Sequence, residues 1–198
     1  MELRAGGRRA GGLCTTTRSS GRQAGFTMLE LAVAITVFVL GALAYAQTMI
    51  SLERAQVRTR EAGRATQAAR AVLERIHAEA FPEAFRRYNG EVADDPGGAG
   101  TAPGNHFAVE GLSAREGDVD GLPGEVIFPT PPNQPGRLSE AVVDTALGMP
   151  RDLNGDGGVN AAENYATDYR ILPVRIRIAW TGVAGPGLVE INTMLGNW

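Results

Sequence analysis

Between Phe26 and Ile50 the chain holds a single charged residue, Glu30, and is otherwise uncharged and largely apolar. As a helix this stretch spans roughly 37 Å at 1.5 Å per residue, enough to cross a hydrocarbon core of about 30 Å with some tilt. From Ser51 the pattern turns amphipathic: Ala55, Ala62, Ala65, Ala69, Val72, Leu73, Ile76 and Ala80 recur at helical spacing among arginines and glutamates. The apolar and amphipathic halves predict one continuous helix, bent or ended near Phe81 by Pro82, with a short further helical segment to Tyr88. Gly63 costs that helix up to about 1 kcal/mol relative to alanine.

Beyond Tyr88 the period changes. Gly90 to Asn105 is rich in glycine and proline and reads as loop. Phe107 to Leu112 and Glu125 to Phe128 are candidate strands, separated by an acidic, glycine-rich segment. The clearest sheet signal is Val174, Ile176, Ile178 and Trp180 alternating with Arg175, Arg177, Ala179 and Thr181. A turn over Gly182 to Gly187 and a returning strand over Leu188 to Leu195 complete a predicted hairpin. The expected class is α+β, with a long N-terminal helix packed on a C-terminal antiparallel sheet. Its expected divisions are a basic leader (1–25), an apolar helical half (26–50), an amphipathic half (51–88) and a β-rich domain (89–198). Residues 90–150 offer no pattern from which a fold is legible.

Charge orients this plan. The basic residues are all arginine; residues 1–25 carry five of the 19 arginines against one of the 22 acids, a formal +4. The remainder, with 14 arginines and 21 acids, stands at −7. Positive-inside reasoning places the leader in the cytoplasm and the acidic domain across the membrane. The single cysteine, Cys14, lies in the leader, so the rest of the chain forms no internal disulfide.

A carboxylate inside an apolar helix costs roughly 2.5–3.5 kcal/mol near mid-bilayer on insertion scales, so Glu30 calls for a partner. Cleavage after Gly25 creates one: the new α-amino group of Phe26 lies one helical turn from Glu30 on nearly the same face. The hexapeptide Gly25-Phe26-Thr27-Met28-Leu29-Glu30, opening a long apolar run, resembles the processing site of type IV prepilins and of the pseudopilins of type II secretion. That resemblance implies cutting by prepilin peptidase after Gly25, methylation of the Phe26 amine, and docking of Glu30 on a neighbouring subunit's amine. It further implies other pilins or pseudopilins, the inner-membrane assembly platform and membrane lipid as partners. The protein would sit in the inner membrane as a single-pass subunit, domain in the periplasm, before entering a pilus or pseudopilus. The Trp-containing terminal hairpin is similar to the end of minor pilins and minor pseudopilins. The competing plan is a secretory signal peptide cut after Ala46, at Ala44-Tyr45-Ala46, releasing a calcium-binding interaction domain. Glu30 and the helical pattern running past Ala46 oppose it.

Asp152 to Glu163 fits the twelve-residue EF-hand loop position by position. The side chains of Asp152, Asn154, Asp156, Asn160 and Glu163 fall at loop positions 1, 3, 5, 9 and 12. The Gly158 carbonyl falls at position 7, Gly157 takes the sharp turn at position 6, and Val159 at position 8 is the expected apolar anchor. An all-oxygen set favours Ca²⁺ over zinc, and the number of ligands favours it over Mg²⁺. Gly148, Met149 and Pro150 leave no room for an entering helix. Catalysis is not expected, because His77 and His106 have no partner constellation. Nor is nucleic-acid binding, because the domain is acidic and its arginines alternate with acids.

Overall fold

The computed structural model describes residue 25 and residues 27–197, which fall into two compact units that meet between Ala46 and Gln47. The leader, with Cys14, lies outside the described residues except for Gly25. Helix α1 runs from Met28 to Ala78. The short α2 spans Phe81–Tyr88 with Pro82 in its first turn, where a missing N–H is harmless.

The unit Gln47–Trp198 is built on a five-stranded antiparallel sheet: β1 (His106–Phe107), β2 (Ser113–Ala114), β3 (Gly124–Ile127), β4 (Ile171–Gly182) and β5 (Gly185–Gly196). β4 is its centre. β5 pairs along all of β4, from Ile171 opposite Gly196 to Gly182 opposite Gly185, while β3 and β2 share the other edge end to end. The alternation of β4 is realised: Val174, Ile176, Ile178 and Trp180 are buried, and Arg175 and Arg177 take the other face. The hairpin turn is tighter than the predicted Gly182 to Gly187, with two residues, Val183 and Ala184, between paired glycines.

The predicted strand from Phe107 to Leu112 is not formed. His106–Phe107 pairs with β3, the chain turns at Val109 to Leu112, and Ser113–Ala114 pairs with β4. Gly111, with a φ of +72°, ends the run because an extended strand has no place for that conformation. Val109 still faces the core, so the residue's hydrophobicity was informative and its period was not.

Ala65, Ala69, Val72 and Ile76 form one buried stripe on α1. Ala55 and Ala80, at the ends of the predicted stripe, are exposed. Glu61 continues the stripe one turn earlier and is buried, whereas the sequence placed the glutamates of this helix on its solvated face. Its carboxylate accepts hydrogen bonds from Trp180 Nε1 at 3.2 Å and from the Val183 N–H at 3.3 Å. Arg58, a further turn back, donates to the Ala184 carbonyl through Nε and Nη2 at 3.0 and 2.7 Å. Gly182 leaves the space this carboxylate occupies; a Cβ there would overlap it. Two helix turns thus hold the tip of the β4–β5 hairpin. Glu61→Ala is expected to destabilise the domain by about 1–3 kcal/mol, because it orphans a buried indole N–H and an amide N–H. Urea unfolding followed by Trp fluorescence measures this, and Glu53→Ala, at an exposed position, serves as the unchanged control.

The second part of the core comes from a segment with almost no regular structure. Between β3 and β4 the chain forms a single 3-10 turn, Thr145–Leu147, and an isolated bridge between Asp144 and Met149. It nevertheless buries Phe128, Leu138, Leu147, Met149, Leu153, Tyr165 and Tyr169. Tyr169 fastens α2: its hydroxyl donates to the Phe81 carbonyl at 2.6 Å and accepts from the Phe85 N–H at 3.3 Å. Arg175 reaches from β4 to the Asp144 carboxylate. Burial pushes the Asp144 pKa up, but bonds from Arg175 and from the Leu147 and Ala146 N–H groups outweigh it and hold the carboxyl below the usual range.

Candidate functional site

Two places carry the chemistry. The first is the start of α1. Gly25 is exposed, with open space around its Cα; Phe26 lies outside the described residues. Thr27 is the N-cap: its Oγ1 accepts the Glu30 N–H at 3.2 Å, and its carbonyl accepts the Leu31 N–H at 3.1 Å. A helix that starts here puts Glu30 in its first turn, where a carboxylate also suits the positive end of the helix dipole. The sequence Thr27-x-x-Glu30 is a capping-box spacing, a signal the sequence reading left unused.

The apolar residues that follow have no protein to cover them. Met28, Leu29, Leu31, Val33, Ile35, Val37, Phe38, Val39, Leu40 and Leu43 are all exposed. Contiguous apolar surface of this extent belongs against lipid or another protein, and α1 is long and apolar enough to cross a membrane. Ala46, the alternative cleavage point, lies inside α1.

The second place is the loop Asp152–Glu163. Asp152 Oδ1 accepts the Gly155 N–H at 2.6 Å and its Oδ2 accepts the Gly157 N–H at 2.8 Å; these bonds hold its carboxyl below the usual range. Asn154 Oδ1 accepts the Asp156 N–H and its Nδ2 donates to Asp156 Oδ2; Asp156 Oδ1 accepts the Gly158 N–H at 2.8 Å. Gly157 takes the turn at a φ of +90°, which only glycine adopts freely. The structure therefore brings Asp152, Asn154, Asp156 and Gly158 together. Asn160 turns to the Ala162 N–H at 2.9 Å, and Glu163 is exposed. Among the described residues no three His, Cys, Asp or Glu side chains group closely enough to hold an ion. No helix enters or leaves the loop: a 3-10 turn and a bridge precede it, and β4 starts at Ile171.

The expected apolar anchor needs correction. Val159 is 53% exposed, whereas Leu153 at position 2 is fully buried. With no second hand to pair with, position 8 has nothing to pack on, and the domain core takes the loop by its entry instead. Glu140, which the sequence reading passed over, is fully buried beside it. Its Oε1 accepts the Leu153 N–H at 2.6 Å and its Oε2 accepts the Asn160 N–H at 3.1 Å, tying loop positions 2 and 9 together. Arg137 Nη2 donates to the carbonyls of Ala161 and Glu163. No sequence signal distinguishes Glu140 from the surface acids, because its burial follows from the irregular path of residues 128–170.

His106 Nδ1 lies 2.6 Å from Asp120 Oδ2, both partly exposed at the sheet edge. His77 is exposed on α1. Among the described residues no serine, threonine or cysteine side chain is hydrogen-bonded to either histidine, so the His106–Asp120 pair has no nucleophile bonded to it.

A membrane-length N-terminal helix leading into an antiparallel sheet defines the class, an α+β, pilin-like arrangement. The family model for the prokaryotic N-terminal methylation motif matches residues 20–46, and this motif marks type IV pilin-like proteins. The motif family is structural and not enzymatic. No curated protein and no solved structure matches the chain.

Proposed function

We propose that the protein is a minor structural subunit of a type IV pilus or a type II secretion pseudopilus. Prepilin peptidase would cut it after Gly25, and its N-terminal helix would carry it into the filament. The observation that carries this reading is the methylation motif over residues 20–46, with Glu30 in the first turn of an apolar helix left exposed. In the inner membrane the basic leader lies in the cytoplasm and the acidic domain in the periplasm. Lipid covers the apolar half of α1 until the assembly platform extracts the subunit, and neighbouring pilins or pseudopilins then take over that surface. The minor role is supported by the Trp180-containing terminal hairpin and by the long irregular segment over 128–170, which individualise the domain.

N-terminal sequencing of the mature protein from membranes of a host with prepilin peptidase tests the reading. Phe26 as the first residue, with its amine methylated, is the expected result, and unprocessed chain is expected in a host lacking the peptidase. A mature chain beginning at Gln47 establishes the secreted domain in its place.

A further inference from the structure

We propose that Asp152–Glu163 binds one Ca²⁺ as a helix-free EF-hand-type loop, with the buried residues Glu140 and Tyr165 as its outer shell. The inference is independent of the filament reading. Three ligand side chains, Asp152, Asn154 and Asp156, are already gathered on one side of the loop by bonds to the loop's own N–H groups. In the expected complex the Gly158 carbonyl and Asn160 complete the ring, and Glu163 rotates in from solvent to close it with both oxygens.

Two observations outside the loop point to a cation. The first is charge. Glu140 adjoins the loop that carries Asp152, Asp156 and Glu163, and among the described residues none of these four carboxylates is in an ion pair. One of the four, Glu140, is completely buried, and a buried carboxylate without a cation is costly. The second is Tyr165. It is 2% exposed, and its hydroxyl has no hydrogen-bonding partner. The carboxylates that face it are Glu140 and Glu163. A donor held dry beside the last loop position is suited to fix a Glu163 carboxylate that has turned onto an ion. Outer-shell bonds of this kind orient metal ligands. Glu140 has the parallel task for the main chain, holding positions 2 and 9 at the spacing the loop requires. In a paired EF-hand the second loop supports position 8; here Val159 is free and Glu140 supplies the support from the domain core.

Ca²⁺ fits better than Mg²⁺ because seven oxygens, one pair bidentate, exceed an octahedral set. Three ligand carboxylates on a loop without helices suit a dissociation constant of roughly 0.1–1 mM, the range of extracellular modules.

The test uses the full chain in detergent micelles, titrated with CaCl₂ by calorimetry, with MgCl₂ as comparison, and melted in 10 mM CaCl₂ or in EGTA. One binding event per chain and a melting temperature about 3–7 °C higher in calcium are expected. Glu163→Gln, at an exposed position, is expected to melt as wild type in EGTA and to lose about tenfold or more in affinity. Tyr165→Phe is expected to weaken binding by about 10–100-fold. Coincident wild-type melts with no heat of binding overturn the proposal. So does wild-type binding by Glu163→Gln together with Asp152→Asn/Asp156→Asn, which places any ion elsewhere.

Discussion

Replacing Glu30 by alanine is expected to leave cleavage after Gly25 intact and to reduce incorporation into filaments by roughly a hundredfold or more. The magnitude follows from what docking leaves behind. If Glu30 docks on a neighbouring subunit as proposed, its loss leaves that subunit's terminal amine in an apolar environment without its counter-charge, and breaking a buried pair in this way costs about 3–5 kcal/mol. At 1.4 kcal/mol per factor of ten this is two to three orders of magnitude in the docking equilibrium. Two simpler explanations of such a loss are excluded by the design. Alanine removes the insertion cost of the carboxylate, so the variant enters the membrane more easily than wild type. The Thr27 cap engages the backbone N–H of residue 30, which alanine keeps, so the helix still starts at Met28. Mass spectrometry of the mature N-terminus and quantification of the protein in sheared filaments read the two outcomes separately. Wild-type incorporation of Glu30→Ala would remove the docking role of Glu30.

Phe85→Ala is expected to destabilise the domain by about 3–5 kcal/mol and to lower its melting temperature by roughly 6–20 °C. Phe85 is fully buried, and its ring meets Phe128 edge to face with centroids 5.2 Å apart. It lies on α2, which at eight residues is too short to be stable alone and is held by packing and by the Tyr169 hydroxyl. Truncation leaves a cavity and unfastens the helix from the irregular segment at once. Since domains of this size are stable by only about 5–15 kcal/mol, the loss is a large share. Circular dichroism melts and urea titrations measure it. Val119→Ala, at a position in open solvent, is expected to leave both unchanged.

The parts of the fold that were legible share a cause. The membrane-length run, the α1 stripe at Ala65, Ala69, Val72 and Ile76, and the alternation of β4 are periodic, and a period maps directly onto one buried face. The local turns of the loop at 152–163 were legible for a different reason: Asp and Asn side chains bond backbone N–H groups a few residues on, as they do here at Asp152, Asn154 and Asp156. Where the reading went wrong, non-local contacts prevailed. The run after Phe107 is apolar enough for a strand, but pairing with β3 and then β4 splits it at Gly111. Val159 matches the anchor position of a loop that normally has a partner, and this loop has none.

Glu61 shows the boundary most clearly. Its spacing places it on the buried stripe, four residues before Ala65, yet its charge argued for solvent. Only the arrival of Trp180 and Val183 supplies the donors that make burial tolerable. Glu140 lacks even the spacing clue.

The sequence by itself determined the N-terminal methylation motif, the apolar helix behind it and the central hairpin, because each depends on residues close in the chain or on a simple period. The tertiary structure alone decided how residues 128–170 fill the core and which acids are enclosed. Burial of a charge is a property of the groups that surround it, and those groups come from distant parts of the chain.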